Sequence, residues 1–204
     1  MAQELTYQEK PLNERLEKYE WDRMWIEDTE DKTAKRVLYI GDSISNGTFS
    51  RATEAAERKI LFNNFASSKA LDNPFYYPAV NMFIEQCPKR DAIIFNNGLH
   101  GWHLSEDEYG KLYLEFISKL KADYPETPIY LVLTTATKGR ESSPRVAPRN
   151  EEAKKVAAEL GLGVIDLYQA SLDNAALLGK DGVHFSPDGY SALGKCVVES
   201  LGGI

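Results

Sequence analysis

The sequence predicts an α/β protein, a three-layer α/β/α sandwich on a five-stranded parallel sheet. Three observations carry that class. Short apolar runs alternate with longer amphipathic segments, the pattern of a parallel sheet covered by helices on both faces. The runs are too short to be buried helices and are rich in β-branched residues. At 204 residues the chain suits one domain with a sizeable core rather than two.

Strands are expected at Arg36–Ile40, Lys59–Asn63, Ala92–Asn96, Ile129–Thr134 and Val164–Asp166. The clearest helix lies between the third and fourth: Ser105 caps it, Glu108 completes a capping box, and Tyr109, Leu112, Tyr113, Phe116, Ile117 and Leu120 form one apolar face. A second helix follows Asn150, turns Ala153, Val156, Ala157 and Leu160 inward and stops at Gly161. The last starts at Ser186-Pro187 and is expected to bury Leu193, Cys196 and Val197. Right-handed crossovers between such strands give a flavodoxin-like sandwich, with ligands at the carboxyl ends of the strands. Residues 36–204 form this domain. Residues 1–35 read as an N-terminal extension whose Tyr19, Trp21, Met24, Trp25 and Ile26 pack back as a cap, a partner-binding arm being the alternative.

A net charge of −7 disfavours a polyanion-binding surface, so nucleic acid is not an expected partner. Cys87 and Cys196 are too far apart in sequence to suggest a disulfide framework or a metal spacing. No segment is apolar enough over a long enough stretch to span a bilayer, and the first residues are too charged for a signal peptide. A Met placed before a post-cleavage Ala-Gln would read like Met1-Ala-Gln-Glu, so export and a cytoplasmic location both stay open. Oligomeric state is equally open.

The chemistry concentrates in two places. Asp181-Gly-Val-His184 puts a carboxylate and an imidazole three residues apart on one loop, where the carboxylate can hold the ring's tautomer and stabilise its cation. Gly41-Asp42-Ser43 ends the first apolar run, so Ser43 stands just past a strand's carboxyl end, where open α/β sheets bind ligands. Either motif alone could be a turn or a helix lead-in. Paired, they point to a serine nucleophile served by a His–Asp pair, with no cofactor required.

From Arg36 onward the chain resembles the SGNH hydrolases, also called GDSL esterases. That resemblance implies Ser43 as nucleophile, His184 as base and Asp181 as its orienting partner. It further implies an oxyanion hole made by the amide of Ser43, an amide after the second strand and a side chain after the third. Asn64-Phe65-Ala66 stands where the family has Asn-x-Gly, which makes Ala66 the expected amide donor. Asn97-Gly98-Leu99-His100 stands where the family has Gly-x-Asn-Asp, which puts His100 in the place of the catalytic Asn; Asn96 and Asn97 are the alternatives if the loop shifts.

All three histidines, His100, His103 and His184, fall in these loops, and His100, His103 and Asp181 form an alternative metal set. The Ser-His-Asp reading explains more with fewer assumptions. For substrate contacts the edge loops offer Trp102, His103, Tyr76, Tyr77, Arg140, Arg145 and Arg149. Aromatic platforms with polar neighbours suit a sugar ring with a small acyl group, so the expected substrate is a short-acyl ester, acetyl first, on carbohydrate or another small molecule. Lysophospholipase or thioesterase activity is the alternative within hydrolases, and a catalytically silent glycan-binding protein the alternative outside them.

Overall fold

The structure is a computed structural model that describes residues 11–202 and residue 204, so Met1–Glu4 and the rest of the first ten residues of the expected cap lie outside the described residues. Six strands form one sheet: β1 (Asp22–Trp25), β2 (Lys35–Gly41), β3 (Ile60–Ser67), β4 (Ala92–Phe95), β5 (Ile129–Val132) and β6 (Gly163–Ile165). Their order is β1-β3-β2-β4-β5-β6, with β1 antiparallel to β3 and the other pairs parallel. Six helices are described: α1 (Ser43–Ala55), α2 (Tyr76–Glu85), α3 (Glu106–Asp123), α4 (Val146–Leu160), α5 (Leu167–Asp173) and α6 (Pro187–Leu201).

The five expected parallel strands are present, and the sixth comes from the N-terminal extension. Asp22–Trp25 pairs with Asn64–Ser67, which gives β3 a neighbour on each side and carries it to Ser67, beyond the expected end at Asn63. All eight β3 residues are buried. Within the extension Trp21, Met24 and Ile26 are partly buried, whereas Tyr19 and Trp25 remain exposed, at 73% and 49%. An edge strand buries only one face, so Met24 turns inward while its neighbour Trp25 turns out.

Each sheet face carries its own apolar core. On one, α2, α3 and α4 cover Leu38, Ile40, Phe65 and Phe95; on the other, α1 and α6 cover Val37, Tyr39, Phe62 and Ile94. The α3 capping box forms as expected: Ser105 Oγ accepts from Glu108 N, and the Glu108 carboxylate accepts from Ser105 N. Gly161 ends α4 at φ 64°, a left-handed position that suits glycine. Cys196 sits at the flank of α6 and is only partly buried, unlike Leu193 and Val197. Asp166, expected to close the last strand, instead caps α5 by accepting from Gln169 N at 2.8 Å.

The strand order reverses beside β2, whose crossover to β3 runs one way while β4, β5 and β6 lie on the other side. The carboxyl end of β2 is therefore the topological switch point, where such sheets open a crevice. Deleting residues 1–27 would strip β3 of its outer partner and leave a buried, apolar strand as a free edge. The expected outcome is a melting temperature ~5–10 °C lower with concentration-dependent aggregation, read by differential scanning calorimetry and light scattering.

Candidate active site

Ser43 is the first residue of α1, directly past β2. The turn is tight: a Cβ at Gly41 would stand 2.8 Å from Ser45 Cβ and Oγ, so glycine is what lets the strand enter the helix there. Asp42 caps the helix, accepting from Ile44 N at 2.8 Å. Ser45 Oγ donates to Asp42 O at 2.8 Å and accepts from Asn64 Nδ2 at 3.1 Å, which ties the turn to β3.

The opposite loop is built around Asp181. One carboxylate oxygen, Oδ1, accepts from Val183 N and His184 N, both at 3.0 Å, and the other lies 2.6 Å from His184 Nδ1. The imidazole and these two amides hold the Asp181 carboxyl well below the usual range. His184 Nε2 then lies 2.8 Å from Ser43 Oγ, across 141 residues of sequence. Gly182 makes the turn at φ +71°, where a Cβ would collide with Lys138 O at 1.9 Å. Lys138 N donates to Gly182 O, and Arg140 Nε donates to Asp181 O at 3.0 Å, so the loop after β5 braces the His–Asp loop.

The oxyanion side departs from expectation. Ala66 is not a loop residue: it lies fully buried inside β3, paired with Arg23 on one side and Gly41 on the other. A strand residue flanked on both sides gives its N–H to the ladder, so the extension that lengthens β3 removes Ala66 as a free donor. The chain leaves the sheet instead at Ser68-Lys69-Ala70, and Ala70 lies against Gly101. Asn96 and Asn97 are committed elsewhere as well. Asn96 Nδ2 donates to Val132 O and Thr134 Oγ1, and fully buried Asn97 donates to Lys69 O at 2.8 Å. Of the three residues considered on this loop, His100 keeps the most exposed side chain, at 19%.

Several substrate-contact candidates are structural. Tyr76 is fully buried in an aromatic cluster with Phe95 and Phe116, and Tyr77 packs on Phe116 and bonds Asp123. His103 Nε2 lies 2.9 Å from Asp72 Oδ2. With His103 on Asp72 and Asp181 on His184, the alternative metal set does not converge, and among the described residues no group of three His, Cys, Asp or Glu is placed to hold an ion. Arg145 joins Glu106 to the carbonyls of Trp102 and Leu104. Arg149 has no exposed surface; its guanidinium donates to the carbonyls of Gly98, His100, Gly101 and Leu104 and lies 3.9 Å from the Trp102 ring and 4.6 Å from that of Tyr109. Burial pushes its pKa down to about 10. Trp102 and Arg140 remain at the surface of a cleft of about 430 Å³ that also includes Glu141, Ser142 and Arg145.

No family model matches the sequence, and no curated protein matches it either. Solved structures do. A lipolytic G-D-S-L family protein from Veillonella parvula superposes with TM-score 0.66 at 17% identity, covering 81% of this chain and 97% of its own. The lipase/acylhydrolase from Enterococcus faecalis gives 0.65 at 18%, covering 83% and 96%. The acetyl xylan esterase AlAXEase gives 0.62 at 18%, covering 81% and 97%. The chain has the GDSL-type hydrolase fold. In that fold Ser43 and His184 meet at the sheet edge where β2 and β4 diverge from their crossovers.

Two residues, Asp42 and Arg149, take other places than the sequence reading gave them, and a third, Glu17, which accepts from Gly101 N at 2.6 Å and lies 3.7 Å from His100 Nδ1, was not read at all. Asp42, taken there as part of a motif, is buried with Oδ2 unpartnered, and burial pushes its carboxyl up against the pull of His100 and His184. Arg149 did leave a signal: it falls at helical spacing between Val146 and Ala153 on the face of α4 that turns inward, where a charge needs partners. Glu17 left none. Replacing Arg149 with Met keeps the volume but leaves buried carbonyls unpaired, which is expected to cost about 3 kcal/mol in chemical denaturation and to release the loop carrying His100; Arg149→Lys should recover part of both.

Proposed function

We propose that this protein is a serine ester hydrolase working through an acyl-enzyme. The carrying observation is the unbroken run of contacts from Asp181 Oδ2 through His184 to Ser43 Oγ, at 2.6 and 2.8 Å. Ser43 attacks the ester carbonyl as His184 takes its proton. Asp181, kept ionised by the His184 ring and its two amides, fixes the proton on Nδ1 and stabilises the imidazolium. His184 then returns the proton to the leaving alcohol and activates water for deacylation. The oxyanion is met by the Ser43 amide at the start of α1, where the helix dipole also favours negative charge, by the backbone leaving β3 near Ala70 and by the His100 side chain. Kinship with the SGNH hydrolases belongs to the same proposal, supported by the shared fold and the paired Gly-Asp-Ser and Asp-x-x-His blocks.

A short acyl group on a carbohydrate or similar polar alcohol is the substrate class we favour. The cleft beside Asp181 offers Trp102 as a platform and Arg140 as a polar neighbour. An acetyl xylan esterase among the structures sharing this fold is consistent with that class.

A fluorophosphonate probe should label the protein and fail to label Ser43→Ala. Asp181→Asn is expected to lower kcat ~10⁴-fold by releasing the wrong tautomer, and His100→Ala ~10²- to 10³-fold, with circular dichroism unchanged in both. Labelling that survives Ser43→Ala would sink the nucleophile assignment. On p-nitrophenyl esters the rate should fall from acetate to octanoate; a rise with chain length would instead favour a lysophospholipase or thioesterase.

A further inference from the structure

Two concave regions adjoin the loop that carries Asp181 and His184. One, of about 510 Å³, is lined by residues 176–181 and 184–186, so that Asp181 and His184 form part of its wall and Lys180 is its cation. The other is the cleft of about 430 Å³ at Trp102 and Arg140, joined to the same loop by Arg140 Nε, which donates to Asp181 O at 3.0 Å. From there the contacts run through Asp181 Oδ2 and His184 to Ser43 Oγ, at 2.6 and 2.8 Å.

Charge is shared unevenly among the side chains of these two walls. Asp181 is engaged by His184 and two amides, and Arg145 by Glu106. Arg140 and Lys180 pair with no carboxylate among the described residues, and Glu141 is the one acid of the two walls without a cation. Lys138, whose backbone N–H donates to Gly182 O, adds a third unpaired cation beside the loop, and all three cations are exposed. The rim of the His–Asp loop thus carries more free positive than negative charge, although acids outnumber bases 31 to 24 in the chain. Arg140 is the best placed of the three. Its Nε is spent on Asp181 O, which anchors the guanidinium to the loop and leaves both Nη groups without a protein partner. Two N–H groups in one plane form the fork that a carboxylate meets with both oxygens.

The side of the substrate that meets these cations follows from the chemistry. His184 hands its proton to the departing alcohol, so the alcohol portion lies on the His184 side of Ser43, where the cations stand. We propose that the esters preferred by this site carry an anionic group, a carboxylate, on the alcohol portion, held by Arg140 within the field of Lys180 and Lys138. This rests on the hydrolase reading above and narrows its substrate class. The acyl group stays on Ser43 and the carboxylate departs with the alcohol, so the charge takes no part in bond making.

Three chromogenic acetates of similar shape test this: m-carboxy-p-nitrophenyl acetate, its m-carbamoyl analogue and its m-trimethylammonio analogue. Dividing each kcat/KM by the rate of the same ester with free imidazole removes differences in leaving-group reactivity. The carboxylate ester should lead the carbamoyl ester ~3- to 10-fold at low salt, the scale of one well-formed charge-assisted pair, and the trimethylammonio ester should be slowest. The lead should shrink by more than half in about 0.5 M salt. Arg140→Gln should remove most of it, read as the ratio between esters because Arg140 also braces Asp181. Lys180→Glu should raise the trimethylammonio ester relative to the other two. Equal normalised rates for all three esters in the wild type, or a carboxylate lead unchanged in Arg140→Gln, would overturn the proposal. If no ester is hydrolysed and the fluorophosphonate does not react, the hydrolase reading has failed on its own. Binding of the product phenols, followed by the ¹⁵N shifts of Arg140 Nε and the Gly182 amide, then decides the anion preference. Tighter binding of m-carboxy-p-nitrophenol than of m-carbamoyl-p-nitrophenol, lost in Arg140→Gln, supports it, and equal binding overturns it.

Discussion

Helices α1 and α6 press together with almost no side chain between them, and the site depends on that contact. A Cβ at Gly194 would stand 2.7 Å from the backbone of Arg51 and Ala52, and one at Gly47 would enter the Tyr190 ring at 2.3 Å. Only glycine permits such an approach. Ser43 opens one helix and His184 lies two residues before the cap of the other, so the interhelical distance sets whether serine and imidazole meet. The 2.8 Å contact between them therefore records packing on the far side of the sheet from α3 and α4 as much as local loop geometry.

The other half of the site is held by buried polar groups rather than by glycine. Arg149 satisfies carbonyls along residues 98–104, and Asn150 beside it acts as a substitute strand partner for Thr134, accepting from its N–H and donating to its carbonyl. A loop lying over a sheet edge has many backbone groups and few neighbours of its own. Two adjacent residues of α4 supply those partners, Arg149 for the loop on which His100 sits and Asn150 for the backbone just past β5. Gly98 completes the fit, since a Cβ there would overlap Thr134 Oγ1.

Much of the fold was legible in the sequence because its signals are local. Apolar runs bounded by breakers marked the five parallel strands, and Ser105 with Glu108 marked the start of α3. The sixth strand was not legible: Asp-Arg-Met-Trp has no alternation strong enough to mark a strand, and it forms one only because β3 offers a free edge. That pairing is also why Ala66 was misplaced. The residues read as a loop become strand once a second neighbour satisfies their backbone. Tyr76 was misread for a related reason, since an aromatic near a loop looks the same whether it faces solvent or the core.

By itself the sequence determined which residue types carry the chemistry and in what order: a serine after the first parallel strand, and an aspartate and histidine three apart before the last helix. Local turn chemistry and hydrophobic period suffice for that, because each involves residues within a few positions of one another. Tertiary structure alone decided how the backbone and side chains after β3 and β4 are partnered. Whether Ala66 is free, whether Arg149 faces substrate or backbone, and whether His100 has a carboxylate near its ring depend on contacts between residues more than forty positions apart. Such partners are selected by shape and by the need to satisfy buried charge, and neither leaves a pattern along the sequence.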